Sequence, residues 1–433
     1  MKRRELLAGF GGVAVAAAGM RARAGLEPAA ASGSVAHPGS VAAPGPAAAA
    51  GWPRKADFDI ADGYTYINAA YTHPIPKVAL AAARAAAENR GSLHPAQPTE
   101  KHPDPRALFA ALIGAQPSEI AYVPSTSFGE NLVVQSLGLH AKFDGNVVTD
   151  GLHYEGALMH LLELKKKGLD VRIVQPTPDA RIDMRDLEKA VDRNTRLIEI
   201  SSVAMYNGFE HDLKAVSDLA HAHGAYVYAD IIHSAGCSPL NITATGIDFA
   251  ACSTFKWLMG DFGLGFLYVR RDVQRKLDRP VVGYMEGDVR AFYPPQLPAG
   301  PYVPVSYNLE TSASGMFEPG TSGFIGSAVS AALLSASLQY IRKLGLENIQ
   351  AHRLPLLKKL RAEVPRFGFT SVTPADAGGG LLTFAKKDVY KSGLPEKLQA
   401  AGVNVRFSHD WMRLSPSVYN DMRDIERFLE NLG

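Results

Sequence analysis

The sequence predicts an α/β fold: a large domain on a mostly parallel sheet wrapped by helices, then a smaller C-terminal α+β domain. Three observations carry this. From about residue 75, short apolar runs rich in β-branched residues alternate with helical stretches. Those runs lack strict apolar/polar alternation, as expected of strands covered on both faces. After about residue 320 the order changes to two long helices, then short strands and a final helix, which suits a separate small layer.

The chain opens with MKRRELLAGFGGVAVAAAGMRARA (residues 1–24). Arg3 and Arg4 form a pair, a short Gly/Ala-rich apolar stretch follows, and Ala22-Arg23-Ala24 supplies a small-x-small cleavage site. This is the pattern of a twin-arginine signal peptide, so the expected partner is the twin-arginine export machinery and the expected location is periplasmic or secreted. The apolar stretch is too short for a good membrane span, so no stable span is expected after cleavage. That route carries folded proteins, often loaded with a cofactor. Residues 25–50 are Ala, Pro, Gly and Ser with almost no charge, and read as a flexible linker.

PKVALAAARAAAENR is an alanine-rich helix. IAYVP is a short strand with the helix FGENLVVQSLGL behind it, and NVVTD is a strand followed by the helix YEGALMHLLELKKKG. VRIVQ, LIEISSV, AYVYAD and FAACST are further strands, with MRDLEKAV and LKAVSDLAHAHG as helices among them. Repeated strand–helix units imply parallel pairing with crossover helices. The stretch 280–315 is rich in Pro, Gly and Tyr and reads as an ordered loop; Tyr284, Phe292, Tyr293 and Tyr302 are candidates for a substrate entrance. GFIGSAVSAALLSASLQYIRKLG ends in a Gly stop signal, and ENIQAHRLPLLKKLRAEV places Pro355 near its start or at a kink. GLLTFAK, VNVRFS and MRLSP are short strands, and DMRDIERFLENL is the last helix.

The 433 residues are 46% hydrophobic and 20% charged, with a net charge of +2. That balance, without any basic patch interleaved with aromatics, excludes a nucleic-acid-binding surface. The two cysteines, Cys237 and Cys252, sit in apolar surroundings and read as buried thiols. No metal site is expected. His221 and His223 lie two apart near a helix C-terminus, a placement that suits the helix dipole, and His211 stands alone.

Parallel sheets bind ligands beyond the carboxyl ends of their strands. After IAYVP come Ser125, Thr126 and Ser127 at a helix start, a ready cradle for a phosphate. After AYVYAD come Asp230 and His233; after FAACST comes Lys256, flanked by Phe255 and Trp257. An acid ending an apolar strand needs a partner. A lysine in apolar company loses solvation, and its pKa falls. A phosphate cradle, a buried acid and a desolvated lysine at one sheet edge suit pyridoxal 5'-phosphate. That cofactor needs its phosphate held, its ring nitrogen protonated and its aldehyde joined to a lysine as a Schiff base.

The run YADIIHSAGCSPLNITATGIDFAACSTFKWLMGDFGLGFLYV, with FEPGTSGF and MRLSPSVYN, resembles the class V aminotransferase family of fold-type I pyridoxal phosphate enzymes. That family includes cysteine desulfurases and isopenicillin N epimerase-like proteins. The likeness covers about residues 60–430. It implies a fold-type I transferase with an N-terminal segment, 51–74, packing on the small domain, a large domain at 75–315 and a small domain at 316–433. It also implies that Lys256 bonds to the cofactor and moves the α-proton. Asp230 would pair with the ring nitrogen, His233 would contact the ring hydroxyl side, and Tyr154 would stack on the ring. Thr126, Ser127 and Ser253 would hold the phosphate, and Thr321 would reach a phosphate across a homodimer interface. Arg413 would bind the carboxylate of a small amino substrate.

Three departures from the family pattern shape the functional expectation. Phe255 stands where desulfurases carry His, and Met205 stands where many members carry Asn, with Asn207 as a substitute. No cysteine lies in the C-terminal third, which argues against a persulfide-forming desulfurase. The expectation is an exported aminotransferase or a C–S/β-elimination lyase. The alternatives are an epimerase-like enzyme, or a non-catalytic binding protein on the same fold.

Overall fold

The computed structural model describes residues 51–92, 102–282, 287–290, 306–318 and 327–433. The expected signal peptide and linker, Thr321, and the aromatic residues Tyr284, Phe292, Tyr293 and Tyr302 lie outside the described residues. In chain order the elements are β1 (Thr65–Tyr66), α1 (Lys77–Ser92), α2 (Pro105–Ile113), β2 (Ile120–Val123), α3 (Thr126–Ser136), β3 (Asn146–Asp150), α4 (Glu155–Lys166), β4 (Asp170–Val174), α5 (Met184–Ala190), β5 (Thr195–Ser201), α6 (Leu213–Ala222), β6 (Tyr226–Asp230), α7 (Ile242–Thr245), β7 (Phe249–Ser253) and β8 (Gly265–Val269). Then follow α8 (Arg271–Gln274), β9 (Gly287–Arg290), β10 (Ser306–Leu309), α9 (Ala313–Phe317), α10 (Ala328–Leu344), α11 (Leu346–Glu363), β11 (Thr370–Ser371), β12 (Leu382–Ala385), α12 (Leu394–Ala400), β13 (Val403–Asn404), β14 (Arg406–Ser408), β15 (Trp411–Leu414) and α13 (Met422–Glu430).

Seven strands form the central sheet in the order β2-β8-β7-β6-β5-β3-β4. The pairs β3–β4, β3–β5, β5–β6 and β6–β7 are parallel, whereas β8 runs antiparallel to both β7 and β2. The period of two along each strand sorts side chains between two cores. On β5, Ile198 and Ile200 enter the core shared with Leu108 of α2, Val216 of α6 and Leu334 of α10. Leu197 of β5 and Tyr228 of β6 face the other way, under Leu132 of α3 and Leu161 of α4. Burial on both faces explains why these strands read as continuous apolar runs.

The smaller sheet is antiparallel, β11-β12-β15-β14, and packs Phe384, Met412 and Leu414 against Leu356 and Leu360 of α11 and Ile425 and Phe428 of α13. The segment before α1 crosses to this layer. β1 pairs in parallel with β13, and Asn68 bridges to Ser415. Pro355 lies within α11, not near its start. Among the described residues no helix is long and apolar enough to cross a membrane.

The loops that carry the chemistry are locked by close backbone approach. Gly236 has φ +81°, and a Cβ there would sit 2.5 Å from the Trp257 carbonyl oxygen. Gly236→Ala is therefore expected to cost about 2–4 kcal/mol, the sum of left-handed strain and overpacking. Urea denaturation of the two proteins checks this; equal midpoints contradict the packing described.

Candidate active site

Among the described residues, each candidate side chain except Arg413 stands at a carboxyl end of the central sheet or just beyond it. Asp230 ends β6 and Ser253 ends β7, while Thr126 and Ser127 open α3 beyond β2. A cavity of about 150 Å³ is lined by Thr126, Ser127, Tyr154, Asp230, His233, Ser253 and Lys256, together with Met205 and Phe255. The parallel register that aligns Ser201 with Asp230 and Asp230 with Ala251 puts the strand ends level.

The phosphate end is built from hydroxyls and a helix start. Ser125 caps α3 by accepting from the Phe128 N–H at 3.2 Å. The Thr126 N–H donates to Ser253 Oγ at 2.9 Å, and the Ser253 N–H donates to Thr126 Oγ1 at 2.9 Å. This reciprocal pair ties the α3 N-terminus to the end of β7. The first-turn N–H groups of an α-helix carry partial positive charge, so the arrangement fits a phosphate.

Asp230 is buried and accepts from the Ile232 N–H through Oδ1 at 2.9 Å. Burial raises its pKa to about 6, against the opposing pull of the Ile232 N–H and the Lys256 charge. A protonated pyridine nitrogen facing this carboxylate would compensate its desolvation. Lys256 is half-buried, and desolvation lowers its pKa to about 8, with Asp230 raising it and Arg413 lowering it further.

His233 sets the proton arrangement. The Trp257 Nε1–H, which can only donate, points at His233 Nδ1 at 3.4 Å. Nδ1 therefore accepts, and the ring hydrogen sits on Nε2, 3.3 Å from Lys256 Nζ. A hydrogen on Nε2 bonds to Nζ only when Lys256 is the neutral amine, a form that its lowered pKa brings within reach. Burial and the nearby Lys256 and Arg413 charges lower the His233 pKa, so the ring stays neutral.

Arg413 on β15 is buried and donates from Nη1 to the Met205 carbonyl at 3.1 Å, with Nε left without a partner. Burial, then the charge of Arg406, lowers its pKa to about 10. The Met205 contact places this guanidinium beside the cavity wall, where an incoming carboxylate would supply the missing partner.

Asn207 does not serve as a substitute for the Asn that Met205 replaces. Its Nδ2 donates to the Ala180 carbonyl, and its Oδ1 accepts the Phe209 N–H. It is a brace for its own turn. The three histidines do not converge: His211 pairs with Asp150, His221 with Asp248, and His223 with the Leu219 carbonyl. Sequence reasoning missed Trp257 as the residue that orients His233. It also missed Asp150, which ends β3 as Asp230 ends β6 and is held by His211. The rule that a strand-end acid needs a partner was available for Asp150.

Residues 68–428 match the family model for aminotransferase class V. A probable cysteine desulfurase of Methanothermobacter thermautotrophicus is 29% identical over 82% of this chain and 86% of its own. Among solved structures, the Escherichia coli cysteine desulfurase CsdA superposes with a TM-score of 0.73 at 20% identity, covering 88% of this chain and 97% of that one. A cystine C–S lyase superposes with a TM-score of 0.70 at 19% identity, covering 85% and 97%.

The lowered lysine pKa has a direct readout. In cofactor-free protein, trapping of Lys256 by pyridoxal phosphate and borohydride should rise with pH to a midpoint near 8, since only the free amine attacks. A midpoint near that of an ordinary solvated lysine contradicts the desolvated geometry.

Proposed function

The chain belongs to the class V aminotransferase family, and from that premise we propose an exported pyridoxal phosphate enzyme acting on an amino acid or amino-bearing metabolite, as an aminotransferase or a C–S/β-elimination lyase. The single observation that carries this reading is the convergence of Lys256, Asp230 and the Thr126–Ser253 pair on one cavity. The cofactor is pyridoxal 5'-phosphate. When bound, it supplies an aldehyde that captures an amine and a ring that takes up electrons.

The chain's own residues do the rest. Thr126, Ser127 and Ser253 hold the phosphate, and Asp230 keeps the ring nitrogen charged. Tyr154 covers one wall of the cavity. Arg413 orients the substrate carboxylate so that the α-proton faces Lys256 Nζ. With a pKa near 8, Lys256 is partly free base at neutral pH and can both take and return that proton. His233 holds Nζ in position through Nε2.

Sulfur transfer through a persulfide needs a thiolate that reaches the substrate. Both cysteines are buried, and burial raises both thiol pKa values. Cys237 Sγ accepts from Arg353 Nη1 at 2.8 Å, and Cys252 lies within β7. Neither lines the cavity. The reading therefore favours transamination or direct elimination. It includes a homodimer, resting on the likeness of FEPGTSGF, in which Thr321 completes the partner site.

Incubation of holoenzyme with a panel of amino acids, with and without a keto-acid acceptor, tests this. Product only with acceptor means transamination; ammonia and keto acid without acceptor mean elimination; the absence of both products overturns the aminotransferase-or-lyase reading. Lys256→Ala should lower turnover by roughly 10²–10⁴-fold. Arg413→Lys should raise KM by about 10–100-fold through loss of a charge-assisted pair. Export rests on Arg3 and Arg4. The double substitution Arg3→Lys, Arg4→Lys should leave the protein in the cytoplasmic fraction, and unchanged export would refute the twin-arginine assignment.

A further inference from the structure

We propose that Glu130, Glu199 and His153 hold one first-row divalent metal ion beneath the cofactor site. Glu130 lies on α3, Glu199 on β5 and His153 in the turn before α4. Their exposures are 1%, 0% and 4%, and one ligand atom from each falls within 4.8 Å of the others. Thr149 and Tyr228 flank Glu199 in register on β3 and β6. This places a polar patch on a sheet face whose other members are Leu197, Val147 and Phe249.

The patch is unsatisfied. Among the described residues, His153 Nε2 and Thr149 Oγ1 are buried without hydrogen-bond partners, and Glu130 and Glu199 meet carboxyl to carboxyl, a contact that bonds only through a shared proton. Buried polar atoms of native proteins are ordinarily paired, and these groups at one place point to a ligand. The charged groups acting on Glu130 are Glu199 and Asp230, both acids, and desolvation of the two glutamates pushes their carboxyls up. A dication neutralises both carboxylates at once, where protons would have to do so singly.

The donor set selects the ion. His153 Nδ1 is 2.8 Å from Ser201 Oγ. With the ring hydrogen on Nδ1, donated to Ser201, Nε2 keeps an unpartnered lone pair, the tautomer in which a histidine ligates a metal through Nε2 while its other nitrogen is held by a hydrogen bond. Two carboxylates and one imidazole suit Zn²⁺ or Mn²⁺ better than Ca²⁺ or Mg²⁺, which prefer all-oxygen shells. Glu130 follows Thr126 by four residues, so both lie on one face of α3. The ion would pin the helix that cradles the phosphate to β5 and would favour the ionised form of nearby Asp230.

Metal content tests the site independently of the reaction catalysed. Full-length holoenzyme from cells grown with added Zn²⁺ or Mn²⁺, then passed over chelating resin, should retain about one ion per chain by plasma mass spectrometry. Stripping the ion should lower the thermal midpoint. Glu199→Gln should reduce retained metal roughly tenfold or more, and Glu130→Gln should do the same, serving where the first variant fails to fold. A wild-type protein with less than about a tenth of an ion per chain, or a folded variant with wild-type metal content, overturns the site. The first result would mean that protons alone neutralise the pair.

Discussion

Desolvation at the carboxyl ends of a sheet covered on both faces is the constraint on which the rest of this structure depends. Any polar side chain placed there must find a partner in the protein or in a ligand. Asp150, at the carboxyl end of β3, is answered by His211, and at the opposite edge Asp248, just before β7, is answered by His221 and Arg270. Asp230 and Lys256 instead face a cavity, each tempering the other's charge. The same chemistry that closes a structural ion pair elsewhere is left open at this edge, where a cofactor with a positive ring and an aldehyde would close it.

The lysine stands on a rigid platform. Thr254 Oγ1 donates to the Asp261 carbonyl at 2.6 Å and lies 3.0 Å from the Leu264 carbonyl, drawing the loop that follows β7 back on itself. Gly260 packs so tightly that a Cβ would fall 2.6 Å from Thr254 Cβ. Phe255 stacks on Phe262 with centroids 4.3 Å apart, and the His73 N–H donates to the Phe255 carbonyl. A catalytic amine must be held close to its working geometry before substrate arrives, and this loop leaves Lys256 little backbone freedom.

Much of this was legible in the sequence, because the rules that shape it are local. The runs NVVTD, AYVYAD and FAACS are strands as read, and the residues just beyond them line the cavity. What escaped was non-local. β8 enters the sheet antiparallel between β7 and β2, which no strand–helix alternation announces. Asn207 was expected, from the family resemblance, to substitute for the Asn that Met205 replaces, and is a turn brace, because a peptide carbonyl from a distant loop claimed its amide. Glu130 on a helix and Glu199 on a strand lie far apart in sequence. Only the pairing of β5 beneath α3 brings them together with His153.

Trp257 joins the two layers through the same lysine loop. Arg353 of α11, wholly buried, stacks over its ring at 5.1 Å and reaches Cys237 on the loop after β6. The other side of that contact runs from Trp257 Nε1 to His233 and on to Lys256. An arginine on the C-terminal layer thus fixes the indole that fixes the imidazole tautomer. The orientation of α11 and the hydrogen-bond partner of Lys256 Nζ are therefore linked by one chain of contacts. A lysine in a parallel-sheet enzyme is usually discussed through its charge partners. Here the hydrogen bond from a buried tryptophan decides which imidazole nitrogen carries the hydrogen, and so which nitrogen faces Nζ with it. Replacing the indole by any ring without an N–H would free that choice while leaving every charge in place.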